Sequence, residues 1–312
     1  MVKDNEIKAQ VSPFAMREGE IKTFDGKDGY VSMNQIVHKI DIGHITDIHF
    51  SILEIVNDFE FITSRQIYQL LELKGIDPGS QDKLNNKLES LVKCKILTRY
   101  YFTSDEGKGV YRIYCLEKMG KYLLNSKEIE CKWQQSDNTK PVSMIKKRLA
   151  GNQILIAYKN KVKAFDGYTI KPAITAKQAG KTFKANGGVK LTKSNKSINF
   201  IFEIVRREDD WQKKLVDKIK LYKDFYDNFV LGDSGFSSMP QLIIVGEDDK
   251  HMAEIFKEIV TTGNEISKIS LLFTTDLRQN EDDLAKSLVQ FKLDEKTNKY
   301  KLENVSLKLL EN

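Results

Sequence analysis

Residues 200–209 read "FIFEIVRRED", a run of aromatic and β-branched residues fit for a buried strand except that Glu203 stands in its middle. A buried carboxylate needs a partner, because an isolated charge taken out of water is costly. Three roles fit Glu203: a metal ligand in a nuclease site, the remnant of one, or a structural acid neutralised by a nearby base such as Arg206, Arg207 or Lys218.

The neighbouring segments supply a frame for this strand. Upstream, "VSMIKKRLAGNQILIAYKN" (142–160) has helical spacing, and short strand-like runs follow, including "GGVKLTK" (187–193). Asp166-Gly167 and the stretch 194–196 carry hairpin turn signals. Downstream, Trp211, Leu215, Ile219, Tyr222 and Tyr226 form the apolar stripe of a long helix. "PQLIIVG" (240–246) and "KISLLFTTD" (268–276) are continuous apolar strands separated by the helical "DKHMAEIFKEIV" (249–260). Buried strands alternating with helices predict an α/β domain over 142–312 with a mixed sheet covered on both faces.

Helix, hairpin-related strands, long helix, strand is also the core order of restriction-endonuclease-like folds. In such sites two carboxylates hold Mg²⁺ against the scissile phosphate, and a lysine two residues beyond the second stabilises developing charge. Glu203 occupies the second carboxylate position, but Val205 stands where the lysine belongs, and Ala185 and Asn186 stand where the first carboxylate is expected. One carboxylate and one amide make a poor Mg²⁺ site. The expectation is therefore no catalysis and no cofactor, with the alternative that Asp166 and Glu203 converge on one Mg²⁺ in a working nuclease.

The N-terminal half has a different pattern. Residues 1–45 show no sustained period and are expected to form an extended arm or short strands. From Asp47, "DIHFSILEIVNDFE" and "FITSRQIYQLLELKG" are two amphipathic helices, and "IDPGS" is a turn. "QDKLNNKLESLVKCK" (81–95) is a third helix capped by Ser80, and 96–118 is a β-hairpin around "SDEGKG". Three helices, a hairpin and a closing helix predict a winged helix-turn-helix over 46–127. Projection of the third helix places Leu84, Leu88, Leu91 and Val92 on a core face and Lys83, Asn86, Ser90 and Lys93 opposite, with Lys87 on the flank. Lysines suit phosphates and guanine edges, and an asparagine can bind adenine through both amide atoms. Arg99 and Arg112 on the hairpin and Lys108 at its tip are further candidates for DNA contact. Winged helices also dock proteins, and that adaptor role is the third alternative.

Charge is distributed in keeping with a polyanionic partner. Residues 1–130 carry a net −2 and 208–312 a net −6, whereas 131–207 hold 17 Lys and Arg against 3 Asp and Glu, a net +14. A polar stretch ending in proline, 128–141, is expected to be a linker. Cys94, Cys115 and Cys131 are odd in number and lack ligand spacing, and the four histidines form no metal pattern. With neither a long apolar run nor an apolar leader, a cytoplasmic protein without membrane contact is expected.

The winged-helix segment ending "YRIYCLEKMGKYLL" and the later "NFIFEIVRREDDWQKKLVDKIKLYKDFY" together resemble the replication-relaxation family of plasmid, phage and conjugative-element proteins, over residues 46–245. Tyr111, Arg112 and Ile113 match the Tyr-Arg-Leu-like end of that family's winged helix. Phe202, Glu203 and Arg206 match its later strand, where Val205 replaces an Asp. The resemblance implies a role in replication or transfer of a mobile element, or in its control, on double-stranded DNA and alongside replication or conjugation proteins. No heptad repeat predicts a dimer, although winged helices often pair across palindromes, so a homodimer stays open.

Overall fold

A computed structural model describes residues 12–105, 107–131, 133–194, 196–232, 235–280, 283–294, 299–307 and 310. The chain divides into two compact units, one made of 16–160 and 168–170, the other of residues up to 15, 161–167 and 171 onward.

The first unit opens with β1 (Ile21–Phe24) and α1 (Met33–Asp41), then α2 (Asp47–Phe59), β2 (Ile62–Thr63), α3 (Ser64–Leu73) and α4 (Gln81–Lys93). The antiparallel hairpin β3 (Leu97–Ser104) and β4 (Gly107–Leu116) follows, then α5 (Lys118–Ser126) and a short 3₁₀ turn, Gln135–Thr139. These helices start where the sequence gives the backbone a side-chain cap. Thr63 and Gln66 form a reciprocal box at α3, and the Ser80 hydroxyl accepts from the Lys83 N–H at α4. Leu84, Leu88, Leu91 and Val92 are buried, as the helical projection requires, together with Ile52, Ile55, Val56 and Ile67.

Two expected boundaries are corrected. Of the extended arm or short strands expected over 1–45, the described residues hold one short strand, β1, which pairs antiparallel with β3 and completes a sheet of order β1-β3-β4-β2, and also the helix α1, which was not expected. The stretch 128–141 is not a spacer: the Asn138 amide donates to the Leu116 carbonyl at 3.0 Å, Lys121 donates to the Trp133 carbonyl, and Lys22 donates to the carbonyl of Asn138. Its Asn138 side chain satisfies a carbonyl of the unit and its own carbonyls accept from lysines of the unit, so the stretch is fastened by these bonds.

The helix α6 (Val142–Lys161) also belongs to this unit through Asn160, and the division falls near 160 instead of at 141. Asn152 donates to the carbonyls of Phe59 (3.2 Å) and Phe61 (2.8 Å), and Gln66 donates to the Leu149 carbonyl. Lys146, fully buried, is paired with Glu20. Buried polar side chains around its circumference blur the apolar stripe of α6.

The second unit is a mixed α/β layer structure. Its strands β5 (Phe165–Thr169), β8 (Gly187–Lys193), β9 (Lys196–Ile204), β10 (Gln241–Gly246), β11 (Leu272–Thr275), β12 (Val289–Asp294) and β13 (Lys299–Asn304) form one sheet in the order β13-β12-β11-β10-β9-β8-β5. A separate hairpin, β6 (Ala173–Ala176) and β7 (Lys181–Lys184), stands apart from it. Strands β9, β10 and β11 are parallel, whereas β8–β9, β11–β12 and β12–β13 are antiparallel. The parallel crossovers contain α7 (Trp211–Asp227) and α8 (Asp249–Thr261). The short helix α9 (Asp276–Gln279) and a 3₁₀ turn, Leu284–Lys286, lead into β12. Residues 242–246 of β10 and 199–204 of β9 are buried on both faces, which explains why both stretches are largely apolar. Ile201, Val205, Leu242 and Ile244 pack with Ile219, Tyr222 and Tyr226 of α7 and Met252 and Ile255 of α8. Within this unit the antiparallel strands, the crossover helix α7 and the parallel strand β10 follow one another in the order the sequence predicts, whereas the helix expected to open the unit belongs to the first one.

Leu88 anchors α4 to its core with no exposure. Leu88→Ala should lower the stability measured by urea denaturation by about 2–5 kcal/mol, while Lys83→Ala on the outer face should stay within about 0.5 kcal/mol of wild type.

Candidate functional site

The outward face of α4 is built by default: once four apolar positions are buried, the residues between them face solvent. Lys83, Asn86 and Lys93 are exposed, and Lys87 and Ser90 are half-buried on its flanks. Lys93 has a loose ion pair with Glu89 at 3.7 Å and keeps 67% of its side chain exposed.

Arg99 lies elsewhere. It is buried on β3, with Nη1 2.5 Å from a Glu89 carboxylate oxygen, and Nε 2.9 Å from Asp25 Oδ2 and 3.0 Å from the Asp25 carbonyl. Burial opposes the charge, yet Glu89 and Asp25 outweigh it and hold the guanidinium above its ordinary pKa. The hydrogen bond from Arg99 in turn lowers the pKa of Glu89. Arg99 is therefore corrected from a DNA-contact candidate to an internal tie between α4, β3 and the segment before α1. Arg112 also reaches Asp25 Oδ2, at 2.9 Å, but remains 52% exposed. The backbone of Lys108 pairs with Thr103 in the hairpin, and its side chain lies outside the described residues.

Glu203 answers to strand periodicity. Alternation turns Ile201, Glu203 and Val205 to the α7 side of the sheet, among the buried residues of that core. On α7, Lys218 and Tyr222 are one turn apart and both reach Glu203: Lys218 Nζ lies 3.0 Å from Oε2, and the Tyr222 hydroxyl donates to the same oxygen at 2.9 Å. Lys218 also donates to the Lys184 carbonyl at 2.9 Å. Burial, then the Glu203 charge, pushes the Tyr222 phenol well above its usual pKa. Of the bases proposed for Glu203, the structure selects Lys218. Tyr222 belongs to the same stripe but serves as a donor as well as core, a role that an i,i+4 Lys/Tyr pair beside a strand carboxylate could have signalled.

Asn186 sits across the antiparallel pair, where its N–H donates to the Phe202 carbonyl and its side-chain oxygen accepts from the Ile204 N–H at 2.8 Å. Asp166 is remote from this point. It accepts from the Thr192 hydroxyl at 2.9 Å and pairs with Lys190 at 2.6 Å, contacts that lower its pKa. Thr192 is six residues along β8 from Asn186, about 20 Å of strand. Asp166 and Glu203 do not converge, which corrects the shared-ion alternative.

Beyond the carboxyl ends of the parallel strands, acids and arginines close on one another. Arg206, fully buried, donates through Nη2 to both carboxylate oxygens of Asp276 (2.9 and 3.0 Å), and that carboxylate also accepts from the Ser12 hydroxyl. Arg207 pairs with Glu247, Asp248 and Glu254. His251 packs edge-on against Trp211 at 4.9 Å, its N–H donates to Asp248, and its Nδ1 accepts from the Glu247 N–H. Burial, with Arg207 and Arg206 nearby, lowers its pKa to about 3. Among the described residues no three His, Cys, Asp or Glu side chains gather as a metal cluster, and no helix is long and apolar enough to cross a membrane.

No protein-family model and no curated protein matches the chain. Among solved structures, restriction endonuclease FokI and FokI bound to DNA are similar to it at 12% identity, over 74% of this chain, with TM-scores of 0.27 and 0.25. The chain spans 42% and 43% of those two chains. Similarity at this level carries no argument about chemistry.

Lys218→Met should strand the buried Glu203 charge and cost about 1–3 kcal/mol by urea denaturation, whereas Glu203→Gln, which can still accept from Tyr222, should cost less. His251 gives a pH signature. Its folded pKa lies below the ordinary value of about 6.5, so between these values the unfolded chain binds a proton that the folded chain refuses, and stability falls as pH falls. From pH 6.5 to 5 wild type should lose up to about 2 kcal/mol through this group. The same urea titrations on His251→Gln should show a shallower loss.

Proposed function

We propose that the chain is a sequence-specific double-stranded DNA-binding protein, with α4 as the recognition helix and the β3–β4 hairpin as a wing. The observation that carries this reading is the outer face of α4: Lys83, Asn86 and Lys93 project to solvent from a helix whose opposite face is locked into the core. A helix so presented fits the major groove, where lysines meet phosphates or guanine and an asparagine can read adenine. Arg112 on the wing supplies a further exposed cation.

The restriction-endonuclease-like unit serves this protein by grip, without cutting and without a metal cofactor. Its basic residues add phosphate contacts, a sequence-independent and salt-dependent contribution to affinity. What supports a non-catalytic role is the occupation of Glu203 by Lys218 and Tyr222 and its separation from Asp166. The biological setting that fits is replication, conjugative transfer or transcriptional control of a mobile element, in the cytoplasm, with replication or conjugation proteins as partners.

Selection of a binding site from random duplexes, followed by titration of variants, tests the reading. Lys83→Ala with Asn86→Ala should weaken binding to the selected site by about 10- to 100-fold and binding to random duplex far less. Equal losses on both would contradict direct readout. In parallel, supercoiled DNA incubated with Mg²⁺ or Mn²⁺ should stay intact; nicking that Glu203→Gln abolishes would overturn the non-catalytic assignment.

A further inference from the structure

Beside the carboxyl end of α4 lies an open groove of about 430 Å³ between that helix and α1. Its apolar lining comes from Val31, Cys94 and the exposed Ile42, and its polar lining from Lys39, Lys93, His38 and His44. Gln35 adds an amide, and Tyr30 stands at the edge with 83% of its surface exposed. No carboxylate lines the groove.

Tyr30 is exposed but not loosely hung. The loop before it is tied down by Lys95, whose Nζ donates to the Gly29 carbonyl at 2.7 Å, and by the Asp25 N–H, which donates to the Arg99 carbonyl at 2.9 Å. The residue after next, Ser32, caps α1 in a reciprocal box with Gln35. The chain on both sides of the ring is thus fixed by hydrogen bonds, and the ring is presented with little ordering left to be done.

We propose that this groove binds an unpaired stretch of a single DNA strand, with a base stacked on the Tyr30 ring and the flanking phosphates held by Lys39 and Lys93. Aromatic faces interleaved with cations are what single strands need, because every base offers a π-face and every linkage a negative charge. The grooves of an intact duplex would engage the lysines but leave Tyr30, Val31 and Ile42 without apolar cover. A purely apolar peptide would do the reverse and leave the cationic rim unmatched. This inference goes beyond duplex recognition by α4: Lys93 is common to both surfaces, but Tyr30, Lys39, His38 and His44 lie outside α4 and are tested separately from it. With a single strand held next to the recognition helix, the protein would favour partly opened DNA, such as a melted or nicked site, over a closed duplex.

The test uses the full chain and fluorescence anisotropy with two probes, a labelled oligothymidine and a labelled closed duplex. Wild type should bind both. Tyr30→Ala should weaken oligothymidine binding by about tenfold, with Tyr30→Phe near wild type, and leave duplex binding unchanged. His38→Ala with His44→Ala should weaken the single-strand probe alone. Lys83→Ala with Asn86→Ala should behave in the opposite way, so failure of duplex recognition is distinguishable from failure of the groove. Wild type that does not bind oligothymidine, or Tyr30→Ala that binds it as tightly as wild type, would overturn the proposal. Tyr30 is a surface residue, so neither substitution threatens the fold.

Discussion

Arg99 is the constraint on which the exposed chemistry of the first unit depends. A guanidinium buried on β3 must be neutralised, and it is, by Glu89 on α4 and Asp25 ahead of α1. One charge thereby joins α4, the hairpin and the segment before α1: it reinforces the rotation that apolar burial gives α4 and fixes the start of the loop that carries Tyr30. Removing either carboxylate would leave a buried cation short of partners, a larger penalty than the loss of a surface ion pair. The arrangement shows why arginine on a hairpin is an ambiguous signal: Arg99 and Arg112 share Asp25, but only Arg112 keeps its head in water.

Glu203 follows the same logic in the second unit. Strand alternation obliges position 203 to face α7, and Lys218 and Tyr222 convert a costly buried charge into a satisfied one. A carboxylate whose Oε2 is held by an ammonium and a phenol offers little to a divalent cation. The acids at the ends of the parallel strands are likewise committed to Arg206 and Arg207. In this unit, ion pairs and hydrogen bonds account for the buried carboxylates of Glu203 and Asp276.

Much of this was legible in the sequence, for identifiable reasons. The α2–α4 succession, the hairpin and α7 are carried by local periodicity and caps, and the α4 face could be projected because Leu84, Leu88, Leu91 and Val92 repeat at helical spacing. The carboxylate in β9 was conspicuous because it broke an apolar run, and Lys218 stood among its candidate partners. What escaped depends on long-range pairing. A short strand was among the expectations for the N-terminal stretch, but its place at β1 is set by β3, some eighty residues away, since a four-residue segment has no period of its own. The boundary at 141 was misplaced because Asn152, Lys146 and Gln66 make their partners across distant sequence, and polarity alone cannot tell a solvated spacer from one whose groups bind backbone carbonyls. Nor can the type of a residue say whether Arg99 faces a phosphate or a buried carboxylate.

The most direct test of the central claim, that the outer face of α4 enters duplex DNA, is lysine-reactivity footprinting of the full chain, read by mass spectrometry with and without duplex carrying its selected site. The account predicts protection of Lys83, Lys87 and Lys93 that is lost at high salt, with unchanged labelling of lysines on the acidic C-terminal segment such as Lys257. Undiminished labelling of Lys83 and Lys87 in the saturated complex would contradict it.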